Sequence, residues 1–146
     1  MSRAFVKGAD EGPEQPLPRP VSDAPNYVTR RGMELLKQAL ADAEKAGDQR
    51  EARYYRDRIA TAILVEAKKQ RKGTVAFGAT VTAKDPNGRA LRLTIVGEDE
   101  ADPARGLVSW ESPVARALEG HREGDRVTVD RPAGPIDYTI ERVAYE

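Results

Sequence analysis

An α+β fold, with an antiparallel helical hairpin followed by a small antiparallel sheet carrying one short helix, is what this sequence predicts from three observations. Apolar residues recur at spacings of three and four up to about residue 73, and Gly47 divides that helical half in two. From Thr74 the pattern changes to strict alternation, broken by turn signals such as "DPNG" and "PAG".

The first helix is expected to start after Thr29, an N-cap residue, and to present Met33, Leu36, Leu40 and Ala43 as one seam before ending at Gly47. Helical periodicity resumes in "REARYYRDRIATAILVEAKKQRKG" through Ala52, Tyr55, Ile59 and Ala62 or Ile63. Lys68, Lys69, Arg71 and Lys72 then gather where a helix C-terminus favours cations. Two seams joined by a short turn make a short coiled coil at residues 27–73.

Residues 74–146 read as strands in "TVAFGATVTA", "ALRLTIVG", "GLVSW", "DRVTVD" and "IDYTIERVAY". One helix interrupts them: "SPVARALEG" has Ser112 as N-cap, Pro113 at its first helical position and Gly120 beyond its end. Residues 1–26 contain Pro13, Pro16, Pro18, Pro20 and Pro25 with few large apolar groups, and are expected to form a disordered tail.

Composition narrows the chemistry. The chain has no cysteine and a single histidine, His121, which excludes disulfides, Cys-ligated zinc and His-cluster metal sites. No run approaches the ~18 apolar residues of a membrane span, and "MSRAFVKGAD" lacks the apolar region of a secretory signal, so a cytoplasmic location is expected. The formal net charge of zero hides a separation: residues 1–26 carry −1, residues 27–74 carry +5 and residues 75–146 carry −4. Such asymmetry suits a middle segment that meets an anionic surface, or an ordinary solvated helix pair.

In order along the chain, "YVTRRGMELL", "FGATVT", "IVGEDEAD", "SPVARALEGHREGD" and "VAYE" resemble the Gre transcription elongation factors, over roughly residues 27–146. The resemblance implies an FKBP-like C-terminal domain that docks on bacterial RNA polymerase. It also implies a coiled coil that enters the polymerase secondary channel, next to the nascent RNA 3′ end. It implies a monomer without a membrane partner, no catalytic residues of its own, and no tightly bound cofactor beyond a Mg²⁺ shared with the polymerase. In the family the hairpin tip reads Asp-x-x-Glu-Asn-Ala-x-Tyr, and its carboxylates help hold the ion that hydrolyses backtracked RNA. Asp48, Glu51 and Tyr55 fall on that pattern, with Ala52 in place of the Asn and Arg53 in place of the Ala. Glu111, Ser112 and Pro113 fall on the polymerase-docking contact.

The residues themselves leave two readings of the tip open. Mg²⁺ is a hard cation that takes oxygen ligands, so Asp48 and Glu51 suit it. Equally, Asp48 at N-cap and Glu51 three residues on form a capping box that holds the start of the second helix. Compared with the family pattern, about fifteen residues are missing from each arm, which shortens the finger by roughly 22 Å at ~1.5 Å per residue. Arg50, Arg53, Arg56 and Arg58 crowd the second helix and are candidates for contact with RNA or the channel wall, or for a solvated face. "GEDEAD" lacks the ligand spacing of an EF-hand and reads as a loop, and Trp110 as a packed strand end. A Gre-like regulator follows, with a non-cleaving channel regulator or competitor as the alternative and an FKBP-type isomerase or chaperone module as a distant one.

Overall fold

The computed structural model describes residues 17–145, so the part of the tail expectation that concerns residues 1–16 lies outside the described residues. An extended lead-in at 17–26 reaches strand β1 (Tyr27–Val28), helix α1 (Arg30–Ala46) and helix α2 (Gln49–Thr61). Strand β2 (Ile63–Leu64) and a 3-10 turn (Ala67–Lys69) follow. The C-terminal half holds β3 (Thr80–Lys84), β4 (Ala90–Val96), β5 (Leu107–Ser109), α3 (Pro113–Leu118), β6 (Arg126–Val129) and β7 (Ile136–Ala144). The fold is α+β, as expected, with a five-stranded sheet in the order β5-β4-β3-β7-β6.

The hairpin forms where its caps say it should. The Thr29 side chain accepts the Gly32 N–H at 2.9 Å. Gly47 ends α1 in the left-handed region (φ 72°), and the Asp48 N–H reaches back to the Ala43 carbonyl at 2.9 Å. Leu36, Ala43 and Ala52 are buried while Met33, Leu40, Tyr55 and Ile59 are half-buried, so the expected seam is the one that packs.

Helix α2 is shorter than its periodicity suggests, stopping at Thr61. The segment after it is rich in branched side chains and is captured by a strand partner instead: the Ile63 N–H bonds the Asn26 carbonyl and the Val65 N–H bonds the Val28 carbonyl, making β2 parallel to β1. Lys68 and Lys69 therefore lie in a connecting 3-10 turn rather than at a helix end.

In the sheet, Val81, Leu93, Ile95, Val127, Val129, Ile140 and Val143 alternate inward and meet Leu118 and Ala115 of α3. The first strand begins at Thr80 rather than Thr74, because Val75 exchanges backbone bonds with Gly120 and His121 at the end of α3 and Gly78 turns the chain with φ 90°. One edge departs from the antiparallel expectation: β5 pairs with β4 in parallel, Thr94 opposite Leu107. After β4 the chain swings out through residues 97–102, turns at Pro103–Arg105, and Gly106 (φ 76°) delivers it back level with Thr94 in the same direction.

That excursion brings the two halves together. The Tyr27 ring lies 5.8 Å from Phe77 and 5.1 Å, edge-on, from Trp110. Gly97 passes so close beneath β1 that a Cβ there would sit 2.2 Å from the Tyr27 carbonyl oxygen. Backbone cannot yield as a side chain would. Gly97→Ala is therefore expected to lower the unfolding free energy by about 1–3 kcal/mol, the usual scale of overpacking, in a urea titration. An unchanged midpoint would mean that the junction is looser than described.

Candidate functional site

At the tip, Asp48 is the N-cap of α2, with φ −85° and ψ 90°, and its Oδ1 accepts the Glu51 N–H at 3.1 Å. The reciprocal half of a capping box is absent, since the Asp48 N–H is already bonded to Ala43. Glu51 turns instead to the lead-in, where its Oε1 accepts a 2.9 Å bond from the Arg19 guanidinium. Its Oε2 is buried, with no hydrogen-bond partner among the described residues. Arg19 lies 3.9 Å from the centroid of the Tyr54 ring and donates to the Tyr55 hydroxyl at 3.5 Å. Residues 17–26 thus lie along the hairpin, contrary to the tail expectation: Pro18, Pro20 and Pro25 restrict the free chain, and Arg19 supplies the anchor.

The arginine cluster divides. Arg53 is exposed, Arg56 reaches Glu44 at 3.4 Å, and Arg50 donates through Nε to the Leu17 carbonyl at 2.8 Å. Arg58 points inward and is 1% exposed, so it is unavailable for the RNA or channel contact its position in sequence suggested. Its Nε donates to Asp99 Oδ2 at 2.6 Å and its Nη2 to Asn26 Oδ1 at 2.8 Å. The Asn26 amide returns a 2.7 Å bond to the Arg58 carbonyl. Tyr54 completes the group by donating its hydroxyl to Asp99 Oδ1. Burial first, and the bond to Asp99 second, push that phenol up to about 12, so it stays a neutral donor at physiological pH.

A second clasp lies beside the first. Glu100 is buried and accepts from the Thr29 hydroxyl through Oε1 and from Arg31 through Oε2, the latter at 2.9 Å. Thr29 therefore caps α1 and binds the sheet loop with one hydroxyl. Gly32 leaves room for this, because a Cβ there would meet Glu100 Oε1 at 2.8 Å.

Glu111, Ser112 and Pro113 stand together at the end of β5. The Ser112 Oγ accepts the Ala115 N–H at 3.3 Å, Pro113 begins α3, and the Glu111 N–H bonds the Ser109 Oγ at 3.2 Å. The candidate docking residues are thus held in a capped turn, with Pro113 exposed. Sequence reasoning did not single out Arg19, Asn26, Tyr54, Asp99 or Glu100. The charge separation between the two halves was the signal that could have paired the acidic loop with the hairpin arginines.

Glu98 extends the acidic loop toward this edge. Burial, followed by the neighbouring Glu111 carboxyl, raises its pKa. A carboxyl whose folded pKa lies above its unfolded value loses stability on ionising, so the deficit is absent below the unfolded value of about 4.3 and present once pH exceeds the folded one. Glu98→Gln should accordingly raise Tm near pH 7 and raise it much less near pH 4. Equal effects at both pH values would contradict this assignment.

Comparison with known proteins shows the family. A family profile described as "Transcription elongation factor, GreA/GreB, C-term" matches residues 70–145. Transcription elongation factor GreA of Nitratidesulfovibrio vulgaris is 46% identical over 94 residues, covering 64% of this chain and 59% of that protein's length. GreA of Alkalilimnicola ehrlichii is 40% identical over 127 residues, 74% of this chain and 80% of that protein. Among solved structures, GreA factor homolog 1 (Gfh1) of Thermus thermophilus covers 83% of this chain and 99% of its own, with 21% identity and a TM-score of 0.46. On the profile and the GreA alignments, the chain belongs to the GreA/GreB family of transcription elongation factors.

Proposed function

We propose that this protein binds bacterial RNA polymerase as a monomer in the cytoplasm and regulates elongation from the secondary channel without stimulating RNA cleavage. The edge at Glu111, Ser112 and Pro113 serves as the docking contact, and the hairpin occupies the channel. The observation that carries this reading is the length and state of the hairpin. Helices of 17 and 13 residues extend only about 25 and 20 Å.

The two tip carboxylates are also otherwise engaged, Asp48 in a cap and Glu51 with a guanidinium. A Mg²⁺ shared with the polymerase would have to compete with Arg19 for Glu51 Oε1, and a short finger would have to be seated deeper to present either carboxylate. Exposed Arg53 is the member of the arginine cluster that meets the channel wall or RNA phosphate on this reading. Blocking nucleotide access, or competing with longer family members, follows from occupancy alone. The protein contributes no covalent chemistry on this reading.

Two variants of one residue separate the roles of the tip. Asp48→Asn preserves an N-cap and removes the charge, whereas Asp48→Ala removes the cap and should destabilise the hairpin by about 0.5–2 kcal/mol. With backtracked polymerase, wild type and Asp48→Asn are expected to bind equally and to leave the RNA uncut. Replacing Ser112 and Pro113 together by alanine should weaken binding by roughly tenfold, the scale of one interface hot spot. Robust cleavage by wild type that is lost in Asp48→Asn would overturn the non-cleaving reading, and undiminished binding of the double variant would overturn the docking assignment.

A further inference from the structure

We infer that Glu51, Tyr54 and Tyr55 form a guanidinium-binding site on α2, that its resident ligand is Arg19 of the same chain, and that the lead-in at 17–20 is an intramolecular latch over the hairpin tip. The site has the three parts such recognition needs. A carboxylate oxygen, Glu51 Oε1, accepts from Nη1 at 2.9 Å. An aromatic face, Tyr54, lies 3.9 Å from the guanidinium carbon. A second ring stands edge-on to the first at 5.3 Å between centroids, and its hydroxyl accepts from the same Nη1 at 3.5 Å. A planar, weakly hydrated guanidinium satisfies a carboxylate and a ring face together, whereas an ammonium is a compact point charge that stacks poorly.

The latch is tethered on both sides of the bound residue. On one side, Arg50 holds the Leu17 carbonyl at 2.8 Å. On the other, buried Asn26 is pinned to Arg58 through two bonds of 2.7 and 2.8 Å. Pro18 and Pro20 flank Arg19 and keep the free chain extended, which reduces the ordering entropy lost on docking. A short tether also keeps the guanidinium at an effective concentration of about millimolar or above, so weak contacts suffice to fill the site. Arg19 and Glu51 nonetheless keep side-chain exposures of 35% and 29%, so the pair remains wet enough to exchange.

The consequence for the tip is direct. While Arg19 is bound, Glu51 Oε1 is occupied and Oε2 is out of contact with solvent. The carboxylate becomes available to another cation, or to the arginine of another protein, only after the lead-in lifts. The existence of the site does not rest on the polymerase reading, and its test needs no polymerase.

The probe is N-acetyl-arginine amide, titrated into ¹⁵N-labelled full-length protein while the amides of residues 49–55 are followed by NMR. Arg19→Ala, which empties the site without touching the fold's core, should show saturable shifts there. Wild type should respond roughly tenfold more weakly, because its own arginine competes. Adding Glu51→Gln to Arg19→Ala should abolish the response, and N-acetyl-lysine amide should bind Arg19→Ala far less well than the arginine probe. Equal responses of wild type and Arg19→Ala would show that Arg19 does not occupy the site. No saturable shift in Arg19→Ala, with the spectrum otherwise dispersed as in wild type, would show that there is no site.

Discussion

A single buried arginine holds the two halves of this protein together. Arg58 is almost wholly removed from water, and a guanidinium in that position is tolerable only because Asp99, Asn26 and the ring of contacts around them satisfy it. The group draws on three parts of the chain: Asn26 from the lead-in, Arg58 and Tyr54 from α2, and Asp99 from the loop after β4. Removing one partner strands a buried charge, at a cost of about 3–5 kcal/mol. The Glu100 clasp to Thr29 and Arg31 and the close passage of Gly97 under Tyr27 repeat the same joint a few ångströms away.

The charge separation between the halves thus has an internal use. The positive hairpin and the negative C-terminal domain meet at the acidic loop, where Arg31 and Arg58 take Glu100 and Asp99. Cations that looked available for nucleic acid are partly consumed in building the protein, and the exposed remainder is smaller than the sequence count suggests. A hairpin fixed this way takes its direction from the C-terminal domain, through Asn26, Arg58 and Asp99.

Much of this could be read from the chain. Thr29, Gly47, Asp48 and Ser112 announced their helix ends because capping depends on one residue and its near neighbours. The alternation of Val81, Leu93, Val127 and Ile140 announced the sheet for the same local reason. What escaped depends on distant partners. Helix α2 ends at Thr61 because Asn26 and Val28 offer a strand edge, a contact across more than thirty residues of chain. β5 runs parallel because the loop before it must first reach the hairpin. Arg58 lies two and five residues from the exposed Arg56 and Arg53, of identical chemistry, and nothing local distinguishes it. The tip was half legible: the cap was foreseen, whereas the partner of Glu51 lay in a proline-rich stretch whose composition suggested no contacts.

The rigid joint is the claim on which the rest turns, and a distance distribution tests it most directly. The chain contains no cysteine, so nitroxide labels at exposed Lys45 and Arg142 would be unambiguous. Pulsed electron resonance should give one narrow distance in the otherwise wild-type protein. In Asp99→Asn, compared at a temperature where circular dichroism shows both halves folded, the distribution should become broad. A broad distribution with Asp99 intact, or a narrow and unmoved one without its charge, would contradict the account.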